Sequence, residues 1–311
     1  MATNSRKAIW IGPVFAVLAA VGFSAKAIFI KIAYSTAHID SITLISLRML
    51  FSLPFFLGMA WWGGRGQVPL TVRDWAMLTW FGFLGYYFSS FLDFLGLQYI
   101  SAALERLILF TYPAVVLILS AVMYGRSIYG REILALLLSF TGIAVVFVQD
   151  LKITESPRNL WIGSGLIFGT SVAYSFYLVG NTGLIRRLGA TRFTGMAASI
   201  SSVFVLGHFL AQHSPRELSV PANLYMTVLG LSLVSTAIPI WMTSEALRLI
   251  GPNRVAIISS IGPILTIWMG ALFLGEPVNA VTYLGAVLVL GGVALVTSMV
   301  DPKVKTDFRR V

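Results

Sequence analysis

The fold of this chain follows from two segments, LQYISAALERLILFTYPAVVLILSAVMYGRSIYGREILALLLSFTGIAVV (residues 97–146) and LRLIGPNRVAIISSIGPILTIWMGALFLGEPVNAVTYLGAVLVLGGVALV (residues 247–296). They align without a gap at a separation of 150 residues. The matching positions include prolines and glycines as well as apolar residues: Ile108 with Ile258, Pro113 with Pro263, Gly125 with Gly275 and Gly142 with Gly292. Because prolines and glycines match in one register, chance similarity is the weaker explanation, and the sequence predicts an internal repeat.

The beginnings of the two halves align as well, at a separation of 151 residues, where Trp10-Ile11-Gly12 matches Trp161-Ile162-Gly163. We therefore predict two repeats, residues 1–150 and residues 157–311. Each repeat contains five apolar stretches, which is an odd number, so the second copy enters the membrane from the opposite side. Inverted repeats of this kind are the architecture of many secondary transporters, whose substrate site lies at the repeat interface.

The composition is that of a membrane protein. Of the 311 residues, 57% are hydrophobic and 11% are charged, whereas an ordinary soluble domain carries about 25% charged residues. Apolar stretches near 20 residues, long enough to cross about 30 Å of hydrocarbon, recur along the chain. We predict an all-α integral membrane protein with ten transmembrane helices, arranged as two inverted five-helix repeats around a central cavity. The predicted spans are 9–34, 41–62, 75–97, 102–123, 131–149, 160–180, 190–211, 223–247, 254–274 and 279–300.

Lysine and arginine residues are distributed unevenly between the predicted loops. With the N-terminus in the cytoplasm, fifteen fall on the inner side and three on the outer side, which are Lys152, Arg158 and Arg216. Because cytoplasmic loops carry such an excess, we predict a multi-pass protein of a bacterial-type inner membrane with both termini in the cytoplasm. The net charge of +10 is therefore explained by basic loops beside a lipid bilayer, which is the predicted partner. Because the basic residues are spread over short loops, we predict no nucleic-acid partner.

Proline residues interrupt three predicted spans. Pro113 and Pro263 occupy matching positions in spans four and nine, and Pro239 interrupts span eight. A proline inside a span frees a backbone carbonyl, which is tolerated where protein or water can satisfy it. Interrupted helices at matching repeat positions indicate a midplane binding site. A packing kink without a ligand is the alternative, and the agreement with the repeat favours a cavity.

Hydroxyl and aromatic side chains are concentrated at the same depth. Hydroxyls can bind a carboxylate or an amine, and aromatic faces can stack a ring or hold a cation. A single Ser or Thr more often bonds its own helix or a neighbouring one, so the prediction rests on the group. The predicted cavity residues are Tyr86, Tyr87, Ser90, Tyr112, Pro113, Tyr174, Ser175, Tyr177, Trp241, Ser259, Ser260 and Pro263.

Ionisable residues inside the predicted spans form two groups. Each costs about 2.5–3.5 kcal/mol on insertion scales, which suggests a function. The outer half of the first repeat holds a predicted outer gate of Lys26, Arg48, Asp93, Glu105 and Arg106. The corresponding zone of the second repeat holds a predicted inner gate of Glu245, Arg248 and Asn253. Alternating access would break one network while making the other, and fixed struts between helices are an equally open explanation.

The C-terminal part of each half resembles the EamA-type branch of the drug/metabolite transporter superfamily. FTYPAVVLILSAVMYGRSI (110–128) and SSIGPILTIWMGALFLGEPV (259–278) are similar to that family's proline-containing helix, apolar helix and Gly-Glu turn. The first half departs from the pattern, since Gly125-Arg126 stands where the second half has Gly275-Glu276. VGFSAKAIFIKIAY (21–34) resembles the family's opening helix with its lysine near the outer end. The resemblance implies a carrier of small molecules, in a family that includes exporters of amino acids and metabolites, nucleotide-sugar carriers and small permeases.

A secondary transporter working by alternating access is the leading prediction. The resemblance favours export of amino acids, above all aromatic or other apolar ones, with cationic drugs or nucleotide-linked metabolites as alternative substrates. A non-transport intramembrane protein or enzyme is the alternative of a different class. The chain contains no cysteine, no His-Glu-x-x-His and no Gly-x-x-x-x-Gly-Lys-Ser/Thr motif, so we predict no catalysis, metal or cofactor. Proton coupling through Glu105 or Asp93 has no support in the sequence.

Overall fold

The computed structural model describes residues 3–125, 128–153, 155–250 and 252–298, and within them the chain is almost entirely helical. Side chains are described for the same residues except 3–10, 124, 153, 247–248, 252–253, 256–257 and 296–298. The helices are α1 (Thr3–Thr36), α2 (Ser41–Gly64), α3 (Val72–Gly82), α4 (Ser89–Gly96), α5 (Ala102–Leu109), α6 (Tyr112–Tyr124), α7 (Gly130–Ile153), α8 (Pro157–Gly180), α9 (Thr182–Leu188), α10 (Ala190–Gln212), α11 (Ala222–Ser232), α12 (Ile238–Ile250), α13 (Pro252–Ser259), α14 (Gly262–Leu274) and α15 (Ala280–Ser298).

Helical segments occur in all ten predicted spans, as far as the structure describes them. Seven of the described segments are long and apolar enough to cross a membrane, among them Ile11–Thr36 and Ser41–Gly64. Two further apolar helices, Gly262–Leu274 and Ala280–Leu295, are shorter. The structure therefore confirms an all-helical, multi-pass membrane protein, whereas the number of ten crossings stays a prediction.

Breaks in the helices recur at the spacing of the predicted repeat. A π-helical segment at Phe83–Phe88 joins α3 to α4, and a second one at Leu233–Ala237 joins α11 to α12. Two residues separate α5 from α6, and two separate α13 from α14. Gly125 and Gly275 end α6 and α14 in the left-handed conformation, with φ of 64° and 66°. These matching breaks agree with the repeat, while the opposite orientation of the halves in a membrane stays a prediction.

The breaks between α5 and α6 and between α13 and α14 lie where the sequence places its matching prolines. Pro113 and Pro263 are each the second residue of the helix that follows the break. Proline has no N–H and its ring excludes the carbonyl four residues earlier, so it fits the first turn of a helix and not the middle. One helix therefore ends before each proline, and the next helix begins one residue before it.

Glycines allow neighbouring helices to approach the two π-helical segments. A Cβ at Gly85 would overlap the side chain of Tyr177, and a Cβ at Gly22 would overlap Pro239. The closeness of α8 and α1 to these segments thus depends on the missing side chains. Short π-helical segments within α-helices occur frequently at functional sites, which directs attention to the first segment and its tyrosines.

The last helices of the two halves pack directly against each other. A Cβ at Gly142 of α7 would lie 2.6 Å from the carbonyl oxygen of Gly285 in α15. Close backbone approach through small residues is the usual way in which membrane helices associate. Large apolar side chains cover the outward faces of the bundle, including Val122, Phe273 and Trp268, as expected of a surface in contact with lipid.

Candidate substrate site

Five ionisable residues form a charged cluster where α1, α2, α4 and α5 meet: Lys26, Arg48, Asp93, Glu105 and Arg106. Lys26 Nζ lies 2.6 Å from Asp93 Oδ2 and 3.4 Å from Glu105 Oε1. Asp93 is 2% exposed and Glu105 is fully buried. A single ammonium group therefore lies between two carboxylates inside the helix bundle.

The carboxylate oxygens of the charged cluster are incompletely satisfied. Within the described part of the chain, no group donates a hydrogen bond to Asp93 Oδ1 or to either oxygen of Glu105 when both carboxyl groups are ionised, and the two carboxyl groups lie close enough to hydrogen-bond to each other when one is protonated. The contact of Lys26 with Glu105 is an ion pair without hydrogen-bond geometry. Burying an ion is costly unless it is both paired and hydrogen-bonded, so Glu105 in particular lies in an unfavourable place for a purely structural residue.

Arg48 enters the same cluster from α2 and is 5% exposed. Its Nη2 donates to Ser90 Oγ at 3.2 Å, and its Cζ lies 4.8 Å from the ring centroid of Phe94. Asp93 and Phe94 lie three and four residues after Ser90, so the three side chains share one face of α4. Arg48 Nε has no partner among the described residues. The guanidinium thus lies on the face that carries Asp93 and keeps an unused donor.

Arg106, in contrast, is held by hydroxyl groups. Its Nε donates to Thr266 Oγ1 at 3.1 Å and its Nη2 to Ser24 Oγ at 3.5 Å. Thr266 Oγ1 also donates to the backbone oxygen of Ser24 at 3.2 Å. Arg106 therefore connects α5 to α1 and to α14 of the second half.

Four tyrosines form a second group, the tyrosine cluster of Tyr86, Tyr112, Tyr174 and Tyr177. The Tyr177 hydroxyl donates to the Tyr86 hydroxyl at 3.2 Å, and the two ring centroids are 5.4 Å apart at a steep angle. Tyr174 stacks on Tyr177 at 5.5 Å and meets Tyr112 edge-on at 5.5 Å. These are preferred geometries of aromatic pairs, and they give one continuous aromatic surface with hydroxyl groups.

The two clusters are connected. Arg106 Cζ lies 5.8 Å from the ring centroid of Phe110, whose ring is 6.2 Å from that of Tyr112. On the other side, Ser90, which binds Arg48, follows the π-helical segment that contains Tyr86 by two residues. The predicted gate residues and the predicted cavity tyrosines are therefore neighbours.

Three predicted cavity residues lie outside the tyrosine cluster, and one of them connects two helices. The Tyr87 hydroxyl lies 2.8 Å from His208 Nδ1, away from the tyrosine cluster. Trp241 is 44% exposed and packs against Phe15, with ring centroids 5.4 Å apart. Ser175 is buried and donates to the backbone oxygens of Tyr112 and of its own helix, so it ties α8 to α6.

Ser259 and Ser260 lie at the break between α13 and α14, and Pro113 and Pro263 begin the helices after the breaks. Ser259 and Ser260 are half-buried. All four residues lie at the matching interruptions of the backbone. Whether any of them contacts a substrate stays a prediction.

Of the predicted inner gate, Glu245 is half-buried in α12, and the side chains of Arg248 and Asn253 lie outside the described residues. At the same predicted end, sequence reasoning missed an ion pair between the halves, Arg187 Nη1 to Asp74 Oδ1 at 3.0 Å. The N–H of Thr71, with help from Arg187, holds the pKa of Asp74 below its ordinary value. The signal for this position is the Thr-x-x-Asp capping box that begins α3.

At the predicted outer end, Glu276 joins the two halves. Its Oε1 accepts from the backbone N–H of Ala102 at 2.8 Å and its Oε2 from that of Ala103 at 3.4 Å. A Cβ at Gly270 would lie 2.9 Å from Glu276 Oε2, so the glycine leaves room for the carboxylate. Glu276 therefore caps the N-terminus of α5, where a negative charge is favourable. The sequence contains the Gly-Glu turn but no local sign of its partner 174 residues away.

Apolar helices, matching breaks and buried charges between helices place this chain among the membrane transporters. The sequence model of the EamA-like transporter family matches residues 10–148 and again residues 161–298. The chain belongs to this family, as the resemblance in the sequence predicts.

Relatives agree with this assignment. The uncharacterized transporter YcbK of Bacillus subtilis (strain 168) is 30% identical over 309 residues, covering 95% of this chain and 94% of its own. An uncharacterized transporter of Archaeoglobus fulgidus is 25% identical over 269 residues, covering 86% of this chain and 92% of its own. A solved crystal structure superposes with a TM-score of 0.63 at 16% identity, covering 93% of this chain and 96% of that chain, and supports the fold alone.

Proposed function

We propose that this protein is a secondary transporter that works by alternating access and exports amino acids and related small metabolites across the inner membrane, with aromatic or other apolar side chains favoured. The observation that carries the proposal is the connection of the charged cluster to the tyrosine cluster through Phe110, whose ring lies near both Arg106 and Tyr112. One side of the site offers rings and hydroxyls, and the other offers buried charges of both signs. An aromatic amino acid has an apolar ring and a zwitterionic end, which match these two surfaces.

The contacts between the halves support alternating access. Glu276 caps α5 at the predicted outer end, and Arg187 binds Asp74 at the predicted inner end. Each contact joins residues of the first half to residues of the second. Opening of either end breaks only the contact at that end, which suits rocking of one repeat against the other around a midplane site.

Counterflow tests this function. Purified protein is reconstituted in proteoliposomes that are preloaded with mixed amino acids and then given labelled phenylalanine, threonine or lysine outside. We expect saturable exchange, fastest for phenylalanine because its ring fits the tyrosine cluster. Absence of exchange for all three, with folded and inserted protein, would contradict amino acid transport.

Cationic amines are a second candidate substrate class, favoured by the two buried carboxylates of Asp93 and Glu105. An organic cation could bind these carboxylates without any need for a carboxyl group of its own. The same proteoliposomes, given a labelled quaternary ammonium compound, separate the two classes. Exchange of the cation without exchange of phenylalanine would select this second candidate.

A further inference from the structure

Within the described part of the chain, the charged cluster contains one unused donor and three unused acceptor oxygens. Arg48 Nε has no acceptor among the described residues, and the free oxygens of Asp93 and Glu105 have no donor. All three side chains are at least nine-tenths buried. Buried polar groups are normally satisfied, and the exceptions call for an explanation such as a bound ligand. A ligand with a carboxylate beside an ammonium group would satisfy both kinds of atom.

A charged residue that only holds helices together is expected to have its hydrogen bonds satisfied, and Arg106 in the same cluster is an example. Arg106 uses two hydroxyl acceptors, Thr266 Oγ1 and Ser24 Oγ, and holds three helices together. Arg48 makes one hydrogen bond, to Ser90, and no ion pair with a described carboxylate. Since removal of a charge from water is repaid only by good geometry and complete hydrogen bonding, Arg48 and Glu105 are poor struts.

We propose that the charged cluster is the head-group site for a zwitterionic α-amino acid, with Arg48 binding the carboxylate and with Asp93 and Glu105 binding the ammonium group. The guanidinium fork matches a carboxylate in geometry and charge. This inference rests on the proposed transport of amino acids and specifies which side chains recognise them. The ring of the substrate then extends toward Tyr86 and Tyr112 along the connection between the clusters.

Lys26 has a particular place in this arrangement. Its primary ammonium group lies at 2.6 Å and 3.4 Å from the two carboxylates that the substrate ammonium needs. Lys26 is also less buried than its two partners, with 18% of its side chain exposed. In the substrate-free protein Lys26 Nζ therefore occupies the ammonium position, and its flexible four-carbon stem allows it to leave. Substrate and Lys26 compete for the same two carboxylates.

The test uses three ligands with one ring and different ends: phenylalanine, 2-phenylethylamine, which lacks the carboxylate, and 3-phenylpropionate, which lacks the ammonium group. Each competes with labelled phenylalanine for binding to purified full-length protein in detergent. We expect each analogue to bind the wild type at least ~10-fold more weakly than phenylalanine, because a hydrogen-bonded charged group contributes on the order of 1.5–3 kcal/mol.

The variants then assign the groups. Arg48→Gln is expected to weaken phenylalanine at least ~10-fold and leave 2-phenylethylamine within about twofold, because only the carboxylate contact is lost. Glu105→Gln is expected to weaken phenylalanine and leave 3-phenylpropionate unchanged. Lys26→Met removes the internal competitor and is expected to tighten 2-phenylethylamine. Two control variants change the charge at exposed positions: Arg216→Gln removes one positive charge, as Arg48→Gln does, and Glu155→Gln removes one negative charge, as Glu105→Gln does. Both controls are expected to bind the ligands like the wild type.

The outcomes separate the two proposals. If phenylalanine exchanges in counterflow but both analogues bind as tightly as phenylalanine, the head-group site is overturned and transport of amino acids stands. Equal weakening of all three ligands by Arg48→Gln overturns it too, since a merely structural role would act on all of them. If nothing binds or exchanges, both proposals fall. Should Arg48→Gln fail to fold, Arg48→Lys is expected to weaken phenylalanine selectively, and equal weakening of the analogues would again overturn the site.

Discussion

The charged cluster and the tyrosine cluster use the two halves differently: every member of the charged cluster lies in the first half, whereas the tyrosine cluster takes two members from each half. Lys26 in α1 and Tyr177 in α8 are 151 residues apart, the separation at which the beginnings of the halves align. Asp93 and Glu105 match Thr243 and Val255 at a separation of 150 residues. The halves share their helix breaks and differ in the side chains placed around them. This difference gives one site two unlike ends, which suits a substrate with a charged head and an apolar tail.

The largest effect is expected where charge is removed from the charged cluster. Glu105→Gln is expected to reduce counterflow of phenylalanine at least ~10-fold, because a charged partner of the substrate is lost. The same variant is expected to unfold at an equal or higher temperature, because neither oxygen of Glu105 is hydrogen-bonded among the described residues and the buried charge is costly. Loss of function with unchanged or higher stability marks a functional residue.

Asp93→Asn is the matched comparison for Glu105→Gln. It breaks the 2.6 Å ion pair with Lys26. The cost stays below the ~3–5 kcal/mol of leaving a buried charge unpaired, because Lys26 is partly exposed and keeps Glu105 as a second partner. We therefore expect a lower unfolding temperature for Asp93→Asn. Thermal unfolding in detergent, followed by tryptophan fluorescence, measures both variants. A lower unfolding temperature for Glu105→Gln as well would identify Glu105 as a structural residue.

A smaller and selective effect is expected in the tyrosine cluster. Tyr177→Leu removes the ring that contacts Tyr86 and Tyr174, and it leaves every member of the charged cluster in place. Exchange of phenylalanine is expected to fall several-fold while exchange of threonine is maintained. Tyr177→Phe removes one hydroxyl bond, worth about 1 kcal/mol, and serves as the control. Equal loss of both substrates in Tyr177→Leu would show that the ring supports the fold and not the selectivity.

The sequence predicts the backbone of both regions better than their side-chain partners. Matching prolines and glycines locate the breaks, because proline and left-handed glycine act through local geometry. Tyr86 and Tyr87 are both plausible from the sequence, but neighbouring helical residues point about 100° apart, and Tyr87 lies against His208. Which residue contacts a given side chain depends on which helices pack against each other, and the hydropathy pattern does not show this.

The same reason explains the contacts that the sequence did not reveal. The residues that cap α5, Glu276 with Ala102 and Ala103, are far apart in the chain and have no periodicity in common. The π-helical segments also could not be predicted, because the spacing of prolines and glycines does not distinguish a π-helical segment from a bend in an α-helix. Both features are found only when the packing of the two halves is known.

The cap of α5 offers a third test, in which the two ends of the transporter are compared. The position that matches Glu276 is Arg126, and the positions that match Ala102 and Ala103 are Pro252 and Asn253. Proline has no N–H to donate and arginine cannot accept. If the second half is inverted, as the sequence predicts, the inner end lacks this cap. We therefore expect the cap to favour a closed outer end.

Glu276→Gln weakens that cap by about 1 kcal/mol, which corresponds to roughly a fivefold change in the equilibrium between open and closed outer ends. The chain has no cysteine, so a single cysteine introduced as Ala103→Cys, at a position that is buried beside the cap, reports opening to a membrane-impermeant thiol reagent. We expect roughly fivefold faster labelling in the Glu276→Gln background. A cysteine at exposed Ser35 serves as control. Unchanged labelling at position 103 would show that Glu276 does not hold the outer end.

The smallest effect is expected at the exposed contact between the loop after α10 and the start of α2. His213 Nδ1 lies 2.6 Å from Glu217 Oε2, and His213 Nε2 lies 3.3 Å from Asp40 Oδ2. The hydrogen bond with Glu217, and then the charge of Asp40, raise the pKa of His213 above its ordinary value. The N–H of Ser214 and the bond with His213 lower the pKa of Glu217.

The direction of these two pKa shifts fixes the pH dependence. The raised pKa of His213 contributes stability that is fully present below its ordinary pKa of about 6.5 and is lost as the pH rises through the folded-state value. The lowered pKa of Glu217 contributes stability that is lost only as the pH falls through its folded-state value. We expect the unfolding temperature of the wild type to fall by about 1 °C or less relative to His213→Gln between pH 6 and pH 8, because exposed ion pairs contribute little. Parallel curves for the two proteins over this range would show that the contact with Asp40 and Glu217 does not depend on protonation of His213.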